Sequence, residues 1–147
     1  MSTRCQVKVT NGEESLTLYH HTDGYPSYML PKIKEAWEEY GQGWEGARVY
    51  KVASMLCAVD PIIFEPLDYH GLHPDIKYYY IINCKNESHV GAKPVWEIEI
   101  YTVNNNWKEQ IGGKPKQELK QLYILSVKQA TEGMGNTIEG LKNKENK

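Results

Sequence analysis

The sequence predicts an α+β fold: an antiparallel sheet of about four or five strands, with two or three helices packed mainly on one face. Three observations predict it. Apolar and polar residues alternate over 3–10, 15–21 and 95–103, the period of half-buried strands. Apolar residues recur at three and four over 27–41 and 45–59, the period of amphipathic helices. The order is strands, helices, strands and a helix, without internal repeat, which argues against the strict strand–helix alternation of a parallel sheet.

The first strand sets Cys5, Val7 and Val9 against Arg4, Gln6 and Lys8, and Asn11-Gly12 follows as a hairpin signal. A two-residue turn would place Val7 opposite Leu16, Cys5 opposite Leu18 and Arg4 opposite Tyr19. The hairpin then stacks Arg4, Tyr19 and His21 on a non-core face, with His20 at the end of the core face. Asp23-Gly24 permits positive φ, and Pro26 restricts Tyr25, so the loop after the hairpin is pinned by its own chemistry.

The first helix carries Met29, Ile33, Ala36, Trp37 and Tyr40 on one side and stops at Gly41 and Gly43; Pro31 suits only its first turn. The second runs from about Glu45 to Val59, with Tyr50, Ala53, Leu56 and Cys57 inward, and Asp60-Pro61 ends it. Ile62-Ile63-Phe64 is a short apolar run, and 65–75 reads as a long loop. Residues 77–84 form a strand, 85–94 a turn, and Val95–Val103 a strand with Trp96, Ile98 and Ile100 on one face, ended by Asn104-Asn105-Asn106. Gly112-Gly113 and Pro115 lead into a third helix over about 116–131, with Leu119, Leu122, Tyr123, Val127 and Ala130 buried. One domain over 1–132 is expected, followed by a charged, frayed tail over 133–147.

Composition narrows the function classes. The net charge of −2 gives no support for duplex nucleic-acid binding. No apolar run is long enough to span a membrane, and the N-terminus has no signal-peptide pattern, so a cytoplasmic protein is expected. Cys5, Cys57 and Cys84 are odd in number with no C-x-x-C spacing, and read as reduced, buried thiols, not nucleophiles. Eleven Tyr and four Trp against one Phe suit wet pockets and subunit contacts as well as cores. The Gly112-Gly113-Lys114-Pro115 stretch lacks P-loop spacing.

Ser2-Thr3-Arg4, Tyr19 with His21 through Pro26, Glu65-Pro66, and His73 through Tyr80 together form a distinctive set over the first 85 residues or so. In these stretches the chain resembles a family of small phage and prokaryotic proteins with no established activity. It departs from that family at Pro74, where the family has Gly between the His and Asp. The resemblance implies a mobile-element setting, in which small phage proteins often antagonise host defence.

The matching residues are polar and mostly outside the core pattern. Arg4, Tyr19, Tyr25 and Tyr78 are candidate contacts for a small anionic nucleotide: Arg offers a planar fork to phosphate, and Tyr stacks or donates. Tyr79 should face away from Tyr78 and Tyr80, so at most part of the run reaches one ligand, and half-buried strand packing is the favoured account of it. His21 and His73 are candidates for a metal-independent acid–base pair in phosphodiester cleavage, with Asp23 or Asp75 orienting one imidazole. The plain structural alternative pairs Arg4 with an acid, packs Tyr19, and leaves Asp23 as a turn residue. A metal site built on His70 and His73 with His20, His21 and Asp23 is disfavoured, because Gly71 and Pro74 preclude a helix and adjacent strand residues face apart. No cofactor or metal is therefore expected. His89 reads as solvated. Three functions follow: a phosphodiesterase that destroys an immune second messenger, a homo-oligomeric sponge that sequesters a cyclic nucleotide or cyclic ADP-ribose derivative, and an inhibitor that blocks a host defence enzyme through its surface. The abundance of His in the matching motifs tips the reading toward the enzyme, and a pure anion sponge would be expected to carry more Arg than Arg4 and Arg48.

Overall fold

The computed structural model describes residues 3–61, 64–66, 71–85 and 93–145. The fold is α+β. Its strands are β1 (Arg4–Thr10), β2 (Ser15–His20), β3 (Phe64–Pro66), β4 (Ile76–Asn83), β5 (Glu97–Ile111) and β6 (Lys114–Ser126). They form one sheet in the order β3-β2-β1-β4-β5-β6. Every pairing is antiparallel except β1 with β4, which is parallel. The helices between β2 and β3 return the chain antiparallel beside β2, so β3 runs in the direction of β1, and β4 then enters on the far side of β1 in that same direction.

The helices are α1 (Pro26–Ala36), continued by one wider turn over Trp37–Gly41, α2 (Val49–Val59), and α3 (Glu132–Glu145). Residues of all three helices join a single core with Cys5, Val7, Val9, Leu18, Tyr80, Trp96 and Ile98 from the sheet. The chain turns between α1 and α2 around Trp96, whose indole donates to the Gly46 carbonyl at 2.7 Å. Pro31 lies in the middle of α1 instead of its first turn. Its missing N–H leaves the Ser27 carbonyl without the usual helical donor. A Cβ on Gly135 of α3 would stand 2.6 Å from the Ser27 Cα, so the two helices are in close backbone contact there.

The first hairpin has the expected faces but not the expected register. Thr10 pairs with Ser15 and Val7 with Leu18, so the loop is Asn11-Gly12-Glu13-Glu14. The Asn11 side chain accepts from the amides of Glu13 and Glu14 at 2.9 and 2.8 Å, an Asx turn that favours four residues over two. The slip is by two residues, and a side-chain period of two leaves every residue on its predicted face.

The predicted third helix is the largest departure. Residues 116–126 belong to β6, and Asn104-Asn105-Asn106 continue β5 instead of ending it. Gly112 and Gly113, at φ +60° and +81°, form a two-residue turn that pairs Ile111 with Lys114. That is the geometry Gly-Gly favours between two strands. Only Pro115 and Leu125 of β6 are buried, so its apolar residues follow no core-imposed alternation and mimic a helical spacing. The segment expected as a charged tail is α3, anchored by the fully buried Ile138. His70, His89 and Ile62-Ile63 lie outside the described residues.

Candidate functional site

The helix-free face of the sheet carries a polar cluster at the β1/β2 end. Arg4 and Gln6 project from β1 and Tyr19 from β2, on the face opposite the Cys5, Val7 and Leu18 core. The loop before β4 crosses this face and brings His73 and Asp75 to them. Lys77 forms a bulge between the Arg4–Ile76 and Cys5–Tyr78 pairings. Ile76 thereby joins Tyr19, Val103, Leu72 and Tyr79 in a small apolar cluster beneath the loop.

Two glutamines fix the loop backbone. Gln6, fully buried, donates through Nε2 to the Gly71 carbonyl at 3.1 Å and accepts the His73 amide through Oε1. Gln117 of β6 donates to the His73 carbonyl at 2.8 Å, and Asn105 of β5 donates to the Ile76 carbonyl at 2.8 Å. His73 is thus held at both its amide and its carbonyl. A polar side chain buried on a sheet face needs such partners to offset its desolvation.

Asp75 stands at the centre of the cluster. Its Oδ2 accepts from the Tyr19 hydroxyl at 2.7 Å and lies 3.3 Å from an Arg4 terminal nitrogen. Its Oδ1 is 3.8 Å from His73 Nδ1, beyond hydrogen-bond reach. Arg4 Nε and Asp75 Oδ1 are buried atoms with no hydrogen-bond partner among the described residues. The Tyr19 ring lies 4.6 Å from the His21 ring, edge-on, and 4.6 Å from the tilted His73 ring. Both imidazoles therefore touch one phenol. The side chains of Arg4, His73 and Asp75 remain 42%, 32% and 37% exposed, open to a solute.

The other predicted residues lie elsewhere. Asp23 accepts from the Tyr25 hydroxyl at 3.0 Å, and Tyr25 packs against Tyr28 and the helix-side core. That hydrogen bond, with burial second, raises the Tyr25 pKa. Asp75, not Asp23, is the carboxylate beside a candidate histidine. The positive φ of the turn falls on Asp23, at +52°, and not on Gly24. Gly24 is required by space instead: a Cβ there would lie 2.8 Å from the Cys5 Cβ and 2.9 Å from the Cys5 nitrogen. Its amide donates to the Thr3 carbonyl at 2.8 Å, and its carbonyl accepts from the Tyr80 hydroxyl at 2.8 Å. Tyr78 is a correction. It is 4% exposed on the helix side, stacked with Tyr80, and cannot reach a ligand on the other face. Tyr79 is the member of the run on the open face, tilted against Tyr101.

A second polar cluster has no counterpart in the sequence reading. His20, fully buried on the helix side, places Nε2 3.0 Å from Asp60 Oδ2, which also accepts from the Tyr28 hydroxyl at 2.9 Å. Burial first, and the bond to Asp60 second, push the Tyr28 pKa up to about 12. The 40-residue separation of His20 and Asp60 leaves no local signal of their contact. Among the described residues, no three His, Cys, Asp or Glu side chains are grouped to hold a metal ion, and no helix is long and apolar enough to cross a membrane. All three cysteines are free; Cys5 and Cys84 are buried, while Cys57 is half-buried.

Compared with protein-family models, curated proteins and solved structures, the chain finds no match.

Proposed function

We propose that the open-face cluster binds a small anionic nucleotide and hydrolyses its phosphodiester bond without a metal. Arg4 takes the phosphate, the Tyr19 hydroxyl donates to a second phosphate oxygen, and His21 and His73 move the protons. One imidazole removes a proton from the attacking water as its oxygen bonds to phosphorus. The other protonates the leaving oxygen as the P–O bond breaks. The observation that carries this reading is the contact of both imidazoles with the Tyr19 ring, on a face that also presents Arg4. Arg4 Nε, buried and without a partner among the described residues, is a donor still to be satisfied. The family resemblance supplies a setting, a phage product that removes an immune second messenger of the host.

The test is a panel of cyclic dinucleotides and cyclic ADP-ribose derivatives, incubated with and without chelator and analysed for product. One member is cleaved, chelator has no effect, and His21→Ala and His73→Ala each lower turnover by about 10²-fold or more while binding persists. Unchanged turnover in both variants overturns the assignment.

One distance favours a second reading, sequestration without cleavage. At 3.8 Å, Asp75 does not hold His73 in a defined tautomer. Under that reading, heating the complex releases the ligand intact, and Arg4→Ala loses affinity.

A further inference from the structure

We infer that Asp75 is a built-in stand-in for the ligand's phosphate, and that an arriving anion displaces it from Arg4 and Tyr19 and so delivers it to His73. This rests on the anion-binding reading above and adds to it a residue that sets affinity and couples binding to the histidine.

The carboxylate occupies the position a phosphate oxygen would take. A single oxygen, Oδ2, accepts from the Tyr19 hydroxyl at 2.7 Å and lies 3.3 Å from the Arg4 guanidinium as its ion-pair partner. Phosphate and carboxylate make the same demands on these donors, so exchanging one for the other leaves both donors satisfied. The Arg4 contact is long and uses one nitrogen, not the bidentate fork of a strong Arg–carboxylate pair, and both side chains are more than one-third exposed. Such a pair opens readily to an arriving anion, while the short bond from Tyr19 keeps the carboxylate beside Arg4 in its absence. Meanwhile Oδ1 is buried without a hydrogen-bond partner among the described residues, 3.8 Å from His73 Nδ1. Closing that distance by about 1 Å would make a hydrogen bond. The backbone need not move for this, because Gln6 and Gln117 hold His73 at its amide and carbonyl. A side-chain rotation of Asp75 is sufficient.

The exchange has a consequence opposite to that of an ordinary supporting residue. Removing the Asp75 charge removes a competitor for Arg4, so anions should bind more tightly. If Asp75 holds Arg4 most of the time, the gain is about tenfold, the inverse of the fraction of Arg4 left available.

The experiment titrates the full-length protein, Asp75→Asn and Asp75→Ala with inorganic pyrophosphate, followed by the ring resonances of His21 and His73. The amide spectrum of each variant checks that its fold is intact. The expected result is about tenfold tighter binding by both variants, together with a His73 response to pyrophosphate in the parent protein that is diminished in both. Equal or weaker binding by the folded variants, with the parent protein still binding, overturns the displacement alone. Absence of binding in all three proteins overturns the anion-site reading beneath it as well.

Discussion

Gln6 and Gln117, on strands separated by β4 and β5, grip the same residue from its two ends: Gln6 accepts the amide of His73, and Gln117 donates to its carbonyl. The histidine that the sequence marks as a candidate acid or base is therefore carried by a loop anchored to both halves of the sheet. Rigid support of this kind lowers the ordering cost of binding and keeps a proton-transfer group in place.

Loss of that grip should be visible without any ligand. Gln6→Ala removes two hydrogen bonds from a buried position and leaves the His73 amide and Gly71 carbonyl unsatisfied. The expected cost is about 2 kcal/mol in urea unfolding, with faster hydrogen exchange at the His73 amide. A Gln6→Ala protein with native stability and an unaltered His73 exchange rate would show that the loop is held by something else.

The buried pair on the other side of the sheet should be a stability element. Asp60→Ala removes the partner of Nε2 on the fully buried His20 and the acceptor of the Tyr28 hydroxyl. The cost should be about 2 kcal/mol, because His20 Nε2 and the Tyr28 hydroxyl both lose the partner they share. Chemical denaturation measures it, and a change below about 0.5 kcal/mol would place the variant among ordinary surface substitutions.

Alkaline pH should unfold the protein through its tyrosines. Tyr28, Tyr78 and Tyr101 each have a pKa raised from 10 to about 12, by burial for the first two and by the hydrogen bond to Glu99 for Tyr101. A folded-state value above the unfolded one means that the contribution is fully present below pH 10 and is lost as pH rises through 12. Tyrosinate absorbance should therefore rise late and together with loss of structure between these values. Complete ionisation of all tyrosines near pH 10 with the fold intact would contradict this.

Space around Gly24 predicts a sharp glycine requirement. Gly24→Ala brings a Cβ within 2.8 Å of the Cys5 side chain and 2.9 Å of its backbone nitrogen, and β1 can move aside only by breaking the sheet. About 1–3 kcal/mol should be lost. In the β5–β6 turn, by contrast, Gly112→Asn should be within about 0.5 kcal/mol of the parent, since Asn-Gly suits the same turn. Gly113→Val, β-branched at φ +81°, should cost about 1–2 kcal/mol. Thermal unfolding of the three variants ranks them.

The sequence by itself determined which residues share a face. A period of two assigned Arg4, Gln6 and Tyr19 to one side of the sheet and Cys5, Val7 and Leu18 to the other, and a two-residue slip in register could not disturb that assignment. It also determined α1 and α2, whose stripes meet the core through Met29, Ile33, Ala36, Ala53 and Leu56, although Tyr40 and Tyr50 turn out exposed and α2 begins at Val49 instead of near Glu45. Tertiary structure alone decided what those faces meet. The outer strand β6 buries little, so nothing in its apolar spacing distinguished it from a helix; pairing along β5 made it a strand, and the Gly112-Gly113 turn was its one local signal. The bonds from Tyr19 to Asp75, His20 to Asp60 and Gln117 to His73 join residues 56, 40 and 44 positions apart. Such contacts leave no periodic trace along the chain, because their partners are selected by the packing of separate elements and not by neighbours in sequence.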